Sequence, residues 1–333
     1  MLTLVTGATG LVGNNTVRAL LERGERVRVL TRETSDPRPL AGLDVESCHG
    51  DVRDRDAVLR ACRGVDRIVH AAAFVHIGWS NGQLHHAVNV EGTRNVVLGA
   101  QAGGAQLVHV STVDTLGIGS RKHAANEDTP PDPKVRVPYN VTKREAEQLV
   151  LDAVAAGLNA VIVNPTYMLG PWDWKPSSGR MLLHISEGRG MLAPRGGNDF
   201  CDVRDVVGGI LAAAERGKPG RRYILGGEPL LYVQAWRLFA QIIGVRGPIC
   251  RAGPMQVWSA GKLGDMLGRV TSHEPDINSA STKMSAEFHH YSFARAAAEL
   301  GYAPRSAREA ATAAWRWFQE HGYTRKGGMM NAE

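Results

Sequence analysis

Leu2-Thr3-Leu4-Val5-Thr6-Gly7-Ala8-Thr9-Gly10-Leu11-Val12-Gly13 holds three signals in a row: a short apolar run, a turn with glycines at every third position, and the first turn of a helical repeat. The run reads as a strand of the buried kind, and Val12, Val17, Leu20 and Leu21 share one face of the helix that follows. Gly7 permits the sharp turn off the strand, Gly10 lets a backbone approach a pyrophosphate, and Gly13 lets helix and strand pack closely. The helix start then offers free N–H groups and the positive end of its dipole to an anion. Thr6, Gly7, Thr9, Gly10, Leu11, Val12 and Gly13 are therefore the first candidate cofactor-binding residues.

Outward from this turn, apolar runs and amphipathic stretches alternate. Strands are predicted at Val27–Thr31, Asp44–Cys48, Arg67–Ala71, Gln106–Ser111 and Asn159–Asn164, and helices at Asp54–Cys62, Leu84–Ala100 and Tyr139–Ala155. Such alternation over about 165 residues means βαβ units and a parallel sheet. The fold class expected is α/β, a Rossmann doubly wound parallel sheet with a smaller C-terminal substrate-binding lobe. Residues 1–165 form the Rossmann domain, completed by part of 200–227; 166–325 are mainly lobe, and 326–333 a flexible tail. Within the lobe, a helix beginning at Cys201, a strand at Arg222–Leu225, and helices at Leu231–Ile243, Met255–Leu267 and Ser306–His321 are predicted.

Composition narrows the function classes. The 333 residues are 43% hydrophobic with a net charge of +6, and the basic residues are scattered rather than run together. No nucleic-acid-binding module accompanies that charge, so an anionic cofactor or substrate accounts for it more simply. No apolar run reaches the roughly 18 residues a bilayer requires, so no membrane partner is expected. The four cysteines, Cys48, Cys62, Cys201 and Cys250, have no metal-ligand spacing and read as reduced thiols. His85-His86 and His289-His290 lack carboxylate partners at ligand spacing, and no metal is expected. The chain opens straight into a strand, and a cytoplasmic location is the expectation.

Tyr139-Asn140-Val141-Thr142-Lys143 lies on a predicted helix, where residues four apart share a face. An ammonium beside a phenol favours the phenolate and lowers its pKa from about 10 towards neutrality, as a general acid/base requires. Thr112 lies 27 residues before Tyr139 at the end of the fifth strand and can hydrogen-bond a reacting oxygen, with Ser111 as its competitor. The second strand ends Leu30-Thr31-Arg32 without the acid that would hold ribose hydroxyls. Arg32 can instead clamp a 2′-phosphate, which argues for NADP(H) over NAD(H), while Glu33, one step later, keeps NAD(H) open. Ala71-Ala72-Ala73 ends the fourth strand with little side chain, so a cofactor can lie against bare backbone.

The GxxGxxG spacing behind Thr6 and the Tyr139–Lys143 motif resemble the short-chain dehydrogenase/reductase superfamily, and Leu11-Val12-Gly13 resembles its extended branch. Asn164-Pro165-Thr166, Leu169-Gly170-Pro171, Asp202-Val203-Arg204-Asp205-Val206 and Tyr223–Gly227 extend the likeness over nearly the whole chain. The subgroup it resembles is the dihydroflavonol 4-reductase-like set of NAD-dependent epimerase/dehydratase proteins. Gly170–Pro176 is similar to bacterial proteins labelled hopanoid-associated sugar epimerases. The resemblance implies that Thr112, Tyr139 and Lys143 are catalytic, with Lys143 also on the nicotinamide ribose. It implies that Asp51 and Val52 reach the adenine, that Asn89 steadies the sheet and active-site helix, and that Asn164, Pro165 and Thr166 meet the nicotinamide carboxamide. A homodimer through Leu84–Ala100 and Tyr139–Ala155 would match the superfamily's usual contact.

Three activities follow from the resemblance. Sugar dehydratases carry an acidic pair after the catalytic Thr, where this chain has Val113 and Asp114, so half the pair is missing. Sugar epimerases need NAD and a nucleoside diphosphate site; Asn164 fits such a site, whereas Arg32 argues against NAD. The reading adopted is an NADP(H)-dependent reductase or dehydrogenase of the dihydroflavonol reductase or 3β-hydroxysteroid type, with a small-molecule partner. A non-catalytic NADP sensor or scaffold is the remaining class, and the presence of both Tyr139 and Lys143 argues against it. Trp79, Asn164, Tyr167, Met168, Trp172, Trp174 and Met181 lie in segments expected to border the substrate pocket, whose apolar surface would suit a ring-shaped or lipid-like substrate.

Overall fold

In the computed structural model of the chain, the described residues are 1–120, 122–271 and 273–324. The expected tail, 326–333, lies outside them. The strands are β1 (Leu2–Thr6), β2 (Arg26–Thr31), β3 (Glu46–His49), β4 (Arg67–His70), β5 (Gln106–Val110), β6 (Ala160–Pro165), β7 (Tyr167–Leu169), β8 (Leu192–Ala193), β9 (Gly197–Asp202), β10 (Arg222–Leu225), β11 (Glu228–Leu231), β12 (Cys250–Arg251) and β13 (Phe288–His289). The helices are α1 (Leu11–Glu22), α2 (Arg55–Ala61), α3 (Gly82–His85), α4 (Gly92–Gly103), α5 (Pro138–Ala155), α6 (Arg180–Ser186), α7 (Val203–Arg216), α8 (Tyr232–Ile243), α9 (Pro254–Thr271), α10 (Ser279–Met284), α11 (Ala294–Leu300) and α12 (Ala307–Glu320).

Seven strands form one sheet in the order β10-β6-β5-β4-β1-β2-β3, and each neighbouring pair is parallel. The chain winds outward from β1 in both directions, so the crevice beyond the carboxyl ends of β1 and β4 is the topological switch point. Every residue of β1, β4 and β6 is buried, as strands covered on both faces must be. One apolar cluster fills the side under α1 and α7, with Val17, Leu20, Val206 and Ile210 in it. A second fills the side under α2, α4 and α5, with Val58, Val96, Val97 and Val150.

The lobe adds a four-stranded sheet in which β9 pairs with β11, β13 and β7, and a two-stranded ribbon of β8 and β12. The helix expected to begin at Cys201 begins at Val203. Cys201 and Asp202 end β9 instead, and the Asp202 carboxylate caps α7 through the Arg204 amide at 2.9 Å. The helix expected over Leu84–Ala100 is interrupted by a π-turn at His86–Glu91 between α3 and α4. No helix among the described residues is long and apolar enough to cross a membrane.

Candidate active site

The glycine turn has the geometry its spacing predicts. Gly7 takes φ +72°, and a Cβ there would lie 2.7 Å from the Ala71 carbonyl carbon and the Ala72 nitrogen. A Cβ at Gly13 would overlap the Gly7 carbonyl, whereas one at Gly10 would come no closer than 3.4 Å to its nearest neighbour. Gly7 and Gly13 thus serve packing, and Gly10 is left exposed as the N-cap of α1. No side chain caps that helix start, so the first-turn N–H groups of Leu11, Val12 and Gly13 remain available to an anion. Thr9 is half-buried beside them. The Thr6 hydroxyl is committed inward, 2.7 Å from His70 Nδ1, and His70 in turn reaches the Thr93 hydroxyl at 3.1 Å. Burial pushes His70 down to about 3, so this bridge is uncharged.

The other candidate cofactor residues follow the carboxyl ends of β2, β3 and β4 or sit in the π-turn. Arg32 is exposed at the end of β2 and makes no ion pair among the described residues. Its charge and the fork of Arg53, 2.8 Å from the Asp51 carboxylate, hold Asp51 below the usual carboxylate range, with the Arg53 hydrogen bond the largest cause. Val52 is buried, and its carbonyl accepts from Asn95 at 2.9 Å. Ala71 and Ala72 are half-buried and Ala73 exposed. Asn89 sits in the π-turn and clips the loop after β4 to α5: its side chain accepts from the Phe74 amide at 2.8 Å and donates to the Phe74 carbonyl at 3.1 Å and the Thr142 hydroxyl at 3.2 Å.

Pro138 opens α5, where its missing N–H costs nothing, and sets Tyr139 in the first turn. One turn on, Lys143 Nζ donates to the Val110 carbonyl at 2.9 Å, which fastens α5 to the end of β5. Thr112 follows β5 and caps a short 3₁₀ turn; its hydroxyl accepts from the Asp114 amide at 3.3 Å and donates to the Asp114 carboxylate at 3.1 Å. The Ser111 hydroxyl is spent on Glu147 at 2.6 Å, which leaves Thr112 as the hydroxyl beside Tyr139. Burial, and next the Asp114 charge, push Tyr139 well above the ordinary phenol range, with Thr112 pulling the other way. Lys143 is not among the groups that move it. Burial lowers Lys143 itself to about 8, with the Glu147 charge opposing. The sequence-based expectation that Lys143 lowers the phenol is therefore not what this geometry gives: the ammonium is turned onto a strand carbonyl.

Sequence reading gave Glu147 and Ala280 no role in the site and weighed Asp114 only as half of a dehydratase acidic pair. Glu147, on the helical face four residues beyond Lys143, accepts from Ser111, from Thr115 at 3.0 Å and from Asn164 at 3.1 Å, and pairs with Arg222. Tyr139, Lys143 and Glu147 at four-residue steps were a usable signal. Asp114 is raised by burial, and His289 Nδ1 stands 4.0 Å from it. Ala280 of α10 packs on Tyr139 with Ile77 and Val135, so α10 roofs the site.

The candidate substrate residues separate. Trp79, half exposed, reaches that roof, donating from Nε1 to the Ser279 hydroxyl at 2.8 Å. Glu274 fixes the same loop, accepting from the Trp79 amide at 2.9 Å, the Ser80 amide at 2.8 Å and His76 Nε2 at 3.0 Å. Asn164 is fully buried and its amide nitrogen is used on Thr112, Thr115 and Glu147, so it braces the site and does not line a pocket. Pro165 and Thr166 beside it are buried at the end of β6. Trp172 and Trp174 pack against Trp317 and His321, with the Arg18 guanidinium 3.4 Å over the Trp172 ring. Tyr167 and Met181 belong to the same cluster, and Met168 packs on the core under α7. Aromatic packing within the lobe, and the Arg18 guanidinium on Trp172, occupy the faces of Trp172 and Trp174.

Residues 3–226 match the NAD dependent epimerase/dehydratase family. The chain is 38% identical to "Sterol demethylase protein B" of Methylococcus capsulatus over 97% of this chain and 99% of that one. It is 35% identical to "Putative dihydroflavonol 4-reductase" of Synechocystis, over 96% and 95%. The crystal structure of gox2253 is 38% identical, with a TM-score of 0.86 and coverage of 97% and 99%. Likeness of this extent, running end to end and including the glycine turn and the Tyr139 helix, settles the kinship: the chain belongs to the NAD dependent epimerase/dehydratase family, and is an NAD(P)-dependent enzyme of the extended short-chain dehydrogenase/reductase type.

Proposed function

We propose that the enzyme is an NADP(H)-dependent carbonyl reductase, or the reverse secondary-alcohol dehydrogenase, acting on an apolar, ring-shaped substrate. The observation that carries this reading is the buried phenol of Tyr139 beside the Thr112 hydroxyl, under an apolar roof of Ala280 and Ile77. Burial keeps this phenol protonated at neutral pH; it also weakens the acid, so the negative charge that hydride arrival would build on the substrate oxygen has to drive the proton transfer. The glycine cradle, the uncapped start of α1 and the exposed Arg32, which makes no ion pair among the described residues, fit a phosphorylated dinucleotide, which when bound supplies or accepts the hydride. Leu11, Val12 and Gly13 would hold the pyrophosphate and Arg32 the 2′-phosphate. Thr112 would turn its hydroxyl from Asp114 to the substrate oxygen, Tyr139 would give that oxygen its proton, and Lys143 would lie on the ribose.

Two relatives are named for ring-shaped compounds, a sterol and a dihydroflavonol, which supports the substrate class. The nucleotide-sugar epimerase reading loses its support at Asn164, whose amide is sealed inside the protein. The test is a fluorescence titration with NADPH and NADH for wild type and Arg32→Ala, followed by turnover of apolar ketones by wild type and Tyr139→Phe. The reading expects tighter NADPH binding, loss of that preference in Arg32→Ala, and a fall in kcat of at least about a hundredfold in Tyr139→Phe with NADPH binding kept. Tighter NADH binding, or undiminished turnover by Tyr139→Phe, refutes it.

A further inference from the structure

Helix α9 turns its apolar residues outward. Met255, Trp258, Leu263, Met266, Leu267 and Val270 are all at least half exposed, Met255 at 83% and Val270 at 77%. At 100° per residue they cover one half of the helix. The other half is closed by glycine: Gly261 and Gly264 are buried, and a Cβ at Gly264 would overlap the Ile277 carbonyl oxygen. Backbone contact with the segment leading into α10 therefore fixes the rotation of the helix, and its apolar half cannot turn inward. The ribbon of β8 and β12 continues the surface, with Met191, Leu192 and Ile249 exposed beside one another; the Ile249 amide donates to the Met191 carbonyl at 3.0 Å.

The charge on this stretch is mostly of one sign. Residues 245–271 contain Arg246, Arg251, Lys262 and Arg269 against a single acid, Asp265, whose carboxylate is spent on the Ser279 amide at 2.9 Å. By the same count Lys262 and Arg269 fall near one margin of the apolar half, between Trp258 and Met255. Between α9 and α10 is a cavity of about 790 Å³ with Arg195, Arg251, Lys262 and Lys283 in its walls beside Val257 and Trp258. An apolar half-helix edged by cations and carrying an amphipathic tryptophan has the makeup of a helix that lies in the headgroup plane. A second copy of the chain is the poorer occupant, since a two-fold contact would bring the like-charged margins of two faces into one interface.

We propose that the outward face of α9 and its cationic rim dock the enzyme on a lipid bilayer carrying anionic headgroups. The expectation of no membrane partner rested on the lack of a spanning segment, which surface docking does not need. The inference stands apart from the reaction catalysed, but it bears on access. Ser279 and Thr282 line the cavity while Ala280, between them on α10, packs on Tyr139, so the docked face lies one short helix away from the site.

The test is cosedimentation of the full chain with vesicles of phosphatidylcholine alone and of phosphatidylcholine with about a quarter phosphatidylglycerol. Wild type is compared with Met266→Asp/Val270→Asp and with Lys262→Glu/Arg269→Glu. These side chains are exposed, so NADPH binding and thermal melting serve as controls for folding. The proposal expects binding to the anionic vesicles, weakened in about 0.5 M salt, and at least about tenfold weaker for each double variant. It is overturned if the anionic vesicles bind no more protein than the neutral ones, if both variants bind like wild type, or if the face instead forms a concentration-dependent dimer that Met266→Asp/Val270→Asp dissolves.

Discussion

Replacing Glu147 by Gln keeps the side chain's shape and removes its charge. In the wild type the carboxylate is buried, accepts from Ser111, Thr115 and Asn164, and is paired with Arg222. It is also the group that holds the Lys143 ammonium up against burial. Two effects follow, and they can be measured apart. The amide must turn its NH₂ either towards Ser111, Thr115 and Asn164 or towards Arg222, and either way Arg222 loses its counter-charge, but that guanidinium is a third exposed and water screens it. The cost to folding is therefore about 2–4 kcal/mol, at or below the range for breaking a fully buried pair. Loss of the opposite charge beside a buried lysine lowers its proton affinity about tenfold, or ~1.4 kcal/mol.

The sign is set by burial. Lys143 falls from 10.5 to about 8 on folding, so its charged form costs stability at neutral pH. That cost is fully present below about 8 and disappears as pH rises through 10.5. Affinity for NADPH, followed by fluorescence against pH, should be level below about 8 in the wild type and fall above it as Lys143 loses its charge. In Glu147→Gln the fall should begin about one pH lower, and the urea midpoint should drop as well. If the midpoint drops while the pH dependence stays where it was, Glu147 is a brace alone and its electrostatic coupling to Lys143 is refuted.

Burial opposes ionisation of Glu274, but hydrogen bonds from Ser80, Trp79 and His76 outweigh it and hold the carboxyl at about 2. Its contribution, about 1 kcal/mol after solvent screening, is present above pH 4.5 and lost as pH falls towards 2. Glu274→Gln should release the Trp79 and Ser80 amides at neutral pH, read as faster hydrogen exchange there; unchanged exchange would show that the carboxylate does not fix this loop. Gly13→Ala and Gly10→Ala should behave oppositely. The first drives a methyl into the Gly7 carbonyl and should cost about 2–4 kcal/mol in thermal melting, whereas the second should melt like wild type and lose NADPH affinity.

The elements legible in sequence were those decided locally. The glycine turn shows in its spacing, although the approach of Ala71 and Ala72 also requires Gly7, and β1, β4 and β6, covered on both faces, carry short apolar centres in Leu4-Val5, Ile68-Val69 and Ala160–Val163. Tyr139 and Lys143 share a helix face at a spacing that helical geometry alone guarantees. What escaped was decided at a distance. Gly-Asn-Asp-Phe-Cys-Asp at 197–202 has no apolar alternation, and becomes β9 because β7, β11 and β13 supply partners to it. Trp172 and Trp174 looked like pocket walls until Trp317, His321 and Arg18 arrived from the far end and the first helix of the chain. Sequence favoured Thr112 but left Ser111 as a competitor; the carboxylate of Glu147, 36 residues further on, takes Ser111 and leaves Thr112.

The position of β10 sets how the molecule can be divided. It pairs with β6 after an excursion of more than fifty residues through the lobe, and α7, which covers one side of the sheet, is made on the way back. A fragment ending at Pro165 would keep the whole glycine turn, Tyr139 and Lys143, yet β6 would become an open edge and the side chains now under α7 would face water. Such a fragment should aggregate rather than bind dinucleotide. Nucleotide site and lobe should therefore melt together, and a ribosome must release at least the first 225 residues before the cofactor site has both its walls and its edge.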